Sequence, residues 1–245
     1  MASHPRRSPG PAIASPHVAV LRQQGWFAGL GSGEQALMLA SLTERRFTRG
    51  QVIQSENTRG AGIYWLVEGT IRALRQVDEH GPALLHVGQP GFWFGQAAVI
   101  EEGGQLWVTV VARTTATALL LTRADYRRLT PQVPGLADAV STVVHRRSRY
   151  MYKFVAETRT LPPDTLIRVR LADLADIRRG EIGDAAGPVV LALTQAEVGD
   201  LVGMARQQAN TRLRTLAGQG LVRLGHGSVT IPDVEALRAS AAGMP

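Results

Sequence analysis

Between Arg45 and Leu121, short apolar runs alternate with turn residues, and this pattern limits the possible folds more than any other feature. Many short strands at close spacing, separated by glycines, are typical of an antiparallel sandwich or barrel. We predict strands at residues 52–53, 63–67, 70–74, 84–87, 108–112 and 116–121. Glu79-His80-Gly81, between two of these runs, is predicted to be a hairpin tip.

Helical periodicity is found on both sides of this β-rich region. Residues 18–42 are predicted to form helices around the Gly31-Ser32-Gly33 break, and residues 124–129 a short helix. Residues 136–158 are predicted to form one long helix, because apolar residues recur there at spacings of three and four. This stripe packs either on the barrel or on a second copy of itself, and we favour the pairing. It consists of Leu136, Ala139, Val140, Val143, Val144, Tyr150, Met151, Phe154 and Val155.

Leu161-Pro162-Pro163 ends the long helix and sets the predicted domain boundary. A helix at residues 165–176 and a loop at residues 178–188 are predicted to follow. The predicted fold class is α+β, with an N-terminal antiparallel β-barrel, a long dimerisation helix and a C-terminal winged helix-turn-helix. The predicted divisions are a disordered tail at 1–17, a barrel domain with flanking helices at 18–134, a dimerisation helix at 135–160 and a DNA-binding domain at 161–245.

Composition narrows the classes of function. The net charge is +7, which favours a polyanionic partner, and nearly all cations are arginines, Lys153 being the one lysine. The cysteine count is 0, which excludes disulfides, thiolate metal sites and cysteine nucleophiles. No apolar run has the roughly 20 residues of a membrane helix, and the Pro- and Arg-rich start is unlike a secretory signal. We therefore expect a cytoplasmic protein without a membrane partner.

Two short helices around a glycine are predicted in the C-terminal region. Thr194 and Glu197 have the spacing of a capping box, and the helix that they begin is predicted to end at Gly203. The second helix spans residues 206–217, with Ala205, Ala209, Leu213 and Leu216 predicted on its packed face. Residues 221–224 and 229–231, around Gly225-His226-Gly227, are predicted to form a hairpin wing. The polar face of the second helix is formed by Arg206, Gln207, Asn210, Thr211 and Arg214.

This order of elements is typical of a winged helix-turn-helix, in which the second helix enters the major groove of DNA. A packed helical pair with a solvated polar face is the alternative. The run from Leu193 to Val222 resembles the DNA-binding motif of the CRP/FNR superfamily. Ile63 to Gly69 and Pro90-Gly91-Phe92-Trp93-Phe94-Gly95 resemble that family's cyclic-nucleotide-binding fold.

The resemblance implies roles for individual residues. Arg206 matches the family's base-contacting arginine, Gln207 replaces a glutamate, and Thr211 replaces a later arginine. Because glutamine pairs with adenine and glutamate with cytosine, the preferred half-site is expected to differ. Double-stranded DNA and a second copy of the chain are the implied partners, with RNA polymerase left open. The predicted phosphate contacts are Thr194, Arg212, Arg214 and His226.

The same resemblance places a ligand pocket in the barrel. Cyclic-nucleotide binders of the family use a glutamate for the ribose and an Arg-Ser pair for the phosphate, where this chain has Gln96, Leu106 and Trp107. A buried phosphate needs a positive partner, which Leu106 does not supply, and Trp107 is expected to crowd the site. We predict a degenerate pocket that does not bind cyclic AMP, with an unknown effector and no cofactor. Its residues are Gly95, Gln96, Ala97, Leu106 and Trp107.

Other readings of the sequence receive less support. Haem would need His80 or His86 as a ligand, and an isolated histidine near a hairpin is more often a surface residue. An enzyme is not predicted, because the chain lacks His-x-His, G-x-S-x-G, H-E-x-x-H and phosphate-loop motifs. A regulatory subunit that does not bind DNA requires the polar face of the second helix to be buried. The aromatic residues either line an apolar pocket or belong to the core: Trp65, Phe92, Trp93, Phe94 and Trp107.

Overall fold

The computed structural model describes residues 13–78, 81–183 and 187–242. Three helices precede the first strand. They are α1 (Ser15–Arg22), α2 (Gly25–Ala28) and α3 (Ser32–Ser41). The predicted tail, residues 1–17, is too long, because α1 already begins at Ser15. Pro16 suits the first helical turn, and Leu21 at the other end of α1 is fully buried. Residues 1–12 of the predicted tail lie outside the described residues.

Eight strands follow and form two antiparallel four-stranded sheets. The first sheet has the order β1-β8-β3-β6 and the second β2-β7-β4-β5. All six predicted runs fall on strands, whereas β1 and β6 were not predicted. In the described residues the two sheets are separate, so the fold is a jelly roll and not a barrel closed by hydrogen bonds. The strands are β1 (Thr43–Phe47), β2 (Val52–Gln54), β3 (Gly62–Glu68), β4 (Ile71–Asp78), β5 (Gly81–Gly88), β6 (Trp93–Phe94), β7 (Thr109–Ala112) and β8 (Ala116–Thr122).

The predicted hairpin tip lies mostly outside the described residues, since Glu79 and His80 are not among them. The strands on either side pair as expected, with Asp78 of β4 opposite Gly81 of β5. The expected turn therefore stays a prediction, although the pairing of its two strands is observed.

The central strands β3 and β8 of the first sheet are buried on both faces, which explains the nearly continuous apolar sequence of β3. Tyr64 and Leu66 point into the interior of the jelly roll, and Ile63, Trp65 and Val67 point to the opposite face. Helices α1 to α3 and the start of the long helix cover that second face. Trp65, Phe92, Trp93 and Phe94 are thus core residues, as one of the two readings of the aromatic cluster predicts.

The long helix, α6 (Pro134–Thr160), follows two short helices, α4 (Ala97–Ile100) and α5 (Arg123–Leu129). Pro134 lies in its first turn, and Leu161 takes an extended conformation before Pro162-Pro163. The predicted apolar stripe divides into parts with different environments. Leu136, Ala139 and Val140 pack on the jelly roll, whereas the later residues Val144, Met151 and Val155 are exposed.

The next helix is longer than predicted. It runs from Pro163 to Ile182 (α7), so residues 178–182 are helical and not part of a loop. Contacts with the jelly roll stabilise this extension: Arg178 donates a hydrogen bond to the carbonyl of Pro90, and the backbone of Glu181 packs on Gly91. Gly183 ends α7 with a φ of +67°, and a Cβ there would lie 2.1 Å from the carbonyl oxygen of Gln23.

The C-terminal part contains a three-stranded antiparallel sheet of order β10-β11-β9 and three helices. Its core also includes Val87 of β5, so the two halves of the chain share one apolar cluster. No helix in the described ranges has the length and apolar character needed to cross a membrane. The elements are β9 (Val189–Leu191), α8 (Gln195–Val202), α9 (Arg206–Gly218), β10 (Arg223–Gly225), β11 (Ser228–Ile231) and α10 (Val234–Ala242).

Candidate nucleic-acid interface and ligand pocket

Helix α8 begins with the predicted capping box. The Thr194 hydroxyl accepts a hydrogen bond from the backbone N–H of Glu197 at 3.2 Å, and the Glu197 carboxylate accepts one from the backbone N–H of Thr194 at 2.8 Å. The helix ends at Gly203, whose φ of +71° places it in the left-handed region. These two signals fix both ends of the first helix of the motif.

Helix α9 crosses α8 at close range. Gly199 of α8 allows this approach, since a Cβ there would lie 3.0 Å from the Met204 carbonyl oxygen and 3.3 Å from the Ala209 Cβ. Ala209, Leu213 and Leu216 are buried, as predicted. Ala205, which was predicted on the same face, is exposed instead, because it is the N-cap residue and lies outside the helix.

The opposite face of α9 carries the predicted base-reading residues. Arg206, Gln207 and Arg214 are exposed, and Thr211 is exposed with its hydroxyl donating to the carbonyl of Gln207 at 3.0 Å. Neither the jelly roll nor another element buries this face among the described residues. The jelly roll therefore does not cover this face, as it would in one arrangement of a regulatory subunit that does not bind DNA.

Three of the other predicted DNA-contact residues have half-buried side chains, and the fourth is exposed. Asn210 is half-buried, and its side-chain oxygen has no hydrogen-bond partner among the described residues. Arg212 forms an ion pair with Asp164 at the start of α7, with 3.0 Å between Nε and Oδ1. His226 is exposed at the turn of the hairpin formed by β10 and β11. Thr194 is half-buried, and its hydroxyl is occupied by the capping box.

Glu197 also connects the two halves of the chain. Its carboxylate lies 2.8 Å from Arg72 on β4 and 2.9 Å from Arg113, which follows β7. Arg113 additionally donates to the carbonyl of Ala192 at 2.7 Å. Burial alone would raise the pKa of Glu197, but the N–H of Thr194 and the two arginines hold this pKa below its ordinary value.

Most residues of the predicted ligand pocket are closely packed. Gly95 has a φ of +84°, and a Cβ there would lie 2.4 Å from the carbonyl oxygen of Gly62. Ala97 is half-buried at the start of α4, and Gln96 is buried. Leu106 is buried beside Gly60, where a Cβ would lie 2.9 Å from the leucine side chain. An apolar contact thus lies where the resemblance implies a phosphate-binding arginine.

Trp107 does not crowd this pocket, so that expectation is wrong. Its side chain is 62% exposed, and its carbonyl accepts a hydrogen bond from Arg75. Successive residues of an extended segment point in opposite directions, so the inward position of Leu106 places Trp107 outside.

A cation that the sequence reasoning missed reaches the pocket from α6. Arg147 donates a hydrogen bond to the Gln96 side-chain oxygen at 3.1 Å and another to the carbonyl of Trp93. Its guanidinium lies 4.5 Å from the centroid of the Phe92 ring. Arg147 is 51 residues from Gln96, so no local pattern in the sequence links the two.

Titratable groups cluster close to Arg147, where β5, α6 and α7 meet. Burial and the charge of Arg147 lower the pKa of His86 to about 3, and burial raises the pKa of Glu181 to about 7 although Arg178 and Arg147 lower it. The His86 ring stacks on Phe92, with 4.6 Å between the ring centroids. His80 lies outside the described residues, and the described chain contains no cluster of three or more His, Cys, Asp or Glu that could hold a metal ion.

Each half of the chain matches a known domain family. Residues 44–132 match the cyclic nucleotide-binding domain, and residues 166–240 match the Crp-like helix-turn-helix domain. The two matches fall in the order, and on the elements, that the resemblance implies. The chain belongs to the CRP/FNR superfamily. Its fold and its helix-turn-helix are those of this superfamily's transcription regulators.

Curated relatives from the CRP/FNR superfamily extend over nearly the whole chain. The CRP-like cAMP-activated global transcriptional regulator of Mycobacterium tuberculosis is 26% identical over 218 residues, 89% of this chain and 96% of that protein. The cyclic AMP receptor protein of Thermus thermophilus is 28% identical over 219 residues, covering 89% and 97%.

Two solved structures show the same fold. FixK2 from Bradyrhizobium japonicum has a TM-score of 0.66 at 16% identity, covering 81% of this chain and 96% of its own. The c-di-GMP-responsive regulator CLP of Xanthomonas campestris has a TM-score of 0.62 at 18% identity, covering 83% and 100%.

Proposed function

We propose that the chain is a sequence-specific transcription regulator that binds an inverted repeat as a homodimer. The exposed polar face of α9 is the observation that carries this proposal. Arg206 and Gln207 project from the first turn of this helix, where side chains reach base edges in the major groove. Arginine pairs with guanine O6 and N7, and glutamine pairs with adenine N6 and N7.

The exposed apolar residues of α6 support the homodimer. Val144, Met151 and Val155 are at least one-third exposed and recur at the spacing of one helix face. Pairing two copies along this face would relate the two recognition helices by a two-fold axis. Two half-sites about 34 Å apart would then be read in successive major grooves.

Phosphate contacts would complete the interface. Arg214 on α9 and His226 at the hairpin turn are exposed and free to reach the DNA backbone, with Asn210 and Thr211 beside them. Arg212 would exchange the carboxylate of Asp164 for a phosphate. Thr194 would offer the N-terminal end of α8, where backbone N–H groups favour anions.

We further propose that the pocket does not bind cyclic AMP in the family's manner. The names of the Mycobacterium and Thermus proteins refer to cyclic AMP, but here Leu106 fills the position of the phosphate-binding arginine. The cation that does reach Gln96 belongs to Arg147, and its hydrogen bonds are made to the protein itself.

Selection of duplexes from a random pool, with and without cyclic AMP, tests both proposals. We expect the same inverted repeat in both selections. Enrichment only with cyclic AMP would contradict the proposal for the pocket, and enrichment in neither would contradict DNA reading by the purified chain.

Replacing Arg206 with Ala tests the assignment of the reading helix. The variant should lose about 1–3 kcal/mol of binding free energy and should relax the preference at one base pair of each half-site. Arg127→Ala is the matched control, because Arg127 is also exposed but lies on α5. An unchanged base preference in the Arg206 variant would refute its role.

A further inference from the structure

Arg147 connects the long helix to the wall of the jelly roll. Its two terminal nitrogens donate to the Gln96 side chain and to the Trp93 backbone, and its plane covers the Phe92 ring. Gln96, Trp93 and Phe92 all belong to the segment that carries the predicted ligand pocket. One side chain of α6 therefore contacts this segment at three points.

The charge of Arg147 persists at neutral pH. Burial lowers the pKa of Arg147 to about 10, against the opposing effect of the Glu181 carboxylate, so the guanidinium stays protonated. Arg147 is half-buried, and withdrawing guanidinium donors from water is costly unless they are hydrogen-bonded. The two carbonyl oxygens and the ring provide that compensation, and they do so only when α6 lies in this position.

Gln96 occupies the position at which the resemblance places the contact to a nucleotide sugar. In this chain its side-chain oxygen accepts from Arg147, whereas its side-chain nitrogen is buried without a partner among the described residues. The hydrogen bond from Arg147 fixes the orientation of the amide. The polar group at the ligand position is thus bound to the protein's own helix.

We propose that Arg147 replaces an effector: it positions α6 against the jelly roll, so that DNA binding needs no bound nucleotide. This inference rests on the proposed function. Arg147 acts as a positioning residue, because it lies on α6 and contacts the jelly roll, away from the DNA-reading face of α9. Its effect on DNA is transmitted through α6, which carries the proposed dimer face.

Arg147→Met tests the proposal, with Arg146→Met as the matched control. Methionine keeps the length of the side chain but removes the charge and all donors, and Arg146 is the exposed neighbour on the same helix. In full-length protein without nucleotide, Arg147→Met should bind the selected duplex at least about tenfold more weakly, and Arg146→Met within about twofold of the wild type. Equal affinity of the two variants would overturn the proposal, as would a tenfold tightening of the wild type by cyclic AMP or inorganic phosphate.

Variants of Gln96 keep the proposal testable if Arg147→Met does not fold. Gln96→Ala should weaken DNA binding in the same direction, and Gln96→Glu should preserve it, because a carboxylate forms an ion pair with Arg147. Combining Gln96→Ala with Arg147→Met should add little to the Arg147 effect, since both remove one interaction. Full additivity would contradict a joint role.

Hydrogen exchange tests the contact between Arg147 and the jelly roll independently of DNA binding. Backbone amides of residues 140–151 should exchange faster in Arg147→Met, or in Gln96→Ala, than in Arg146→Met, whether or not the protein binds DNA. Unchanged exchange in α6 would overturn the role of Arg147. Failure of the wild type to select any duplex would instead contradict the proposed function, and with it the effect on DNA, whereas the exchange comparison would still test the contact of Arg147 with the jelly roll.

Discussion

Glu197 has two structural roles at the residue scale. Its carboxylate completes the capping box at the start of α8 and also forms ion pairs with Arg72 and Arg113 of the jelly roll. The spacing of Thr194 and Glu197 made the first role predictable from the sequence. The second was not predictable, because the arginines are 125 and 84 residues away and only the packing of the two halves brings them together.

Glu197→Gln separates the two roles. The amide oxygen can still accept the backbone N–H of Thr194, but both ion pairs are lost, so we expect the free energy of unfolding to fall by about 2 kcal/mol. Glu34→Gln is the matched control, since Glu34 also accepts a backbone N–H at a helix start, from Gly31 at 2.8 Å. That change should cost less than about 0.5 kcal/mol. Urea unfolding of both variants checks the difference, and equal losses would show that the ion pairs contribute nothing.

At the element scale, the sequence indicated which segments are helical more reliably than what they contact. The period of α6 was evident, but one apolar stripe meets the jelly roll at Leu136 and solvent at Met151. Periodicity identifies the apolar face and not its partner. Similarly, residues 178–188 were predicted to form a loop, whereas α7 continues through Arg178 and Glu181, which contact Pro90 and Gly91.

Met151→Glu tests the exposed face of α6 as a dimer interface. A carboxylate in an apolar pairing face would be desolvated without a partner, so the variant should sediment as a monomer at concentrations at which the wild type is a dimer. Thr142→Glu introduces the same charge on the opposite, exposed side of α6 and should leave the dimer intact. A dimeric Met151 variant, or a monomeric wild type, would show that the chains pair elsewhere or not at all.

At the scale of the whole molecule, the junction of β5, α6 and α7 contains two groups whose titrations have opposite effects on the free energy of unfolding. Burial raises the pKa of Glu181 from 4.5 to about 7. The free energy of unfolding therefore falls as the pH rises through this range and Glu181 ionises. Burial lowers the pKa of His86 from 6.5 to about 3. The free energy of unfolding therefore also falls as the pH decreases through this range. Arg147 and Arg178 face the same junction.

The stability of the wild type should therefore change little between about pH 5 and about pH 6.5, because the two effects have opposite signs. Glu181→Gln removes one of them, and acidification should then lower the free energy of unfolding by up to about 1.4 kcal/mol per pH unit. His86→Gln should show the reverse slope. Urea unfolding across this range measures both slopes, and parallel curves for the two variants would contradict the compensation.

The length of α7 has a mechanical consequence. Its C-terminal end touches the backbone of the jelly roll at Gly91 and the backbone of Gln23 at the end of α1, and Asp164 at its other end is paired with Arg212 of α9. A helix of 20 residues spans about 30 Å, so a tilt of about 5° at the Gly91 end would displace the Asp164 end by about 2.5 Å. A small rotation of α7 at the jelly roll would therefore move Asp164, and with it the ion pair to the reading helix α9, by a distance comparable to the length of a hydrogen bond.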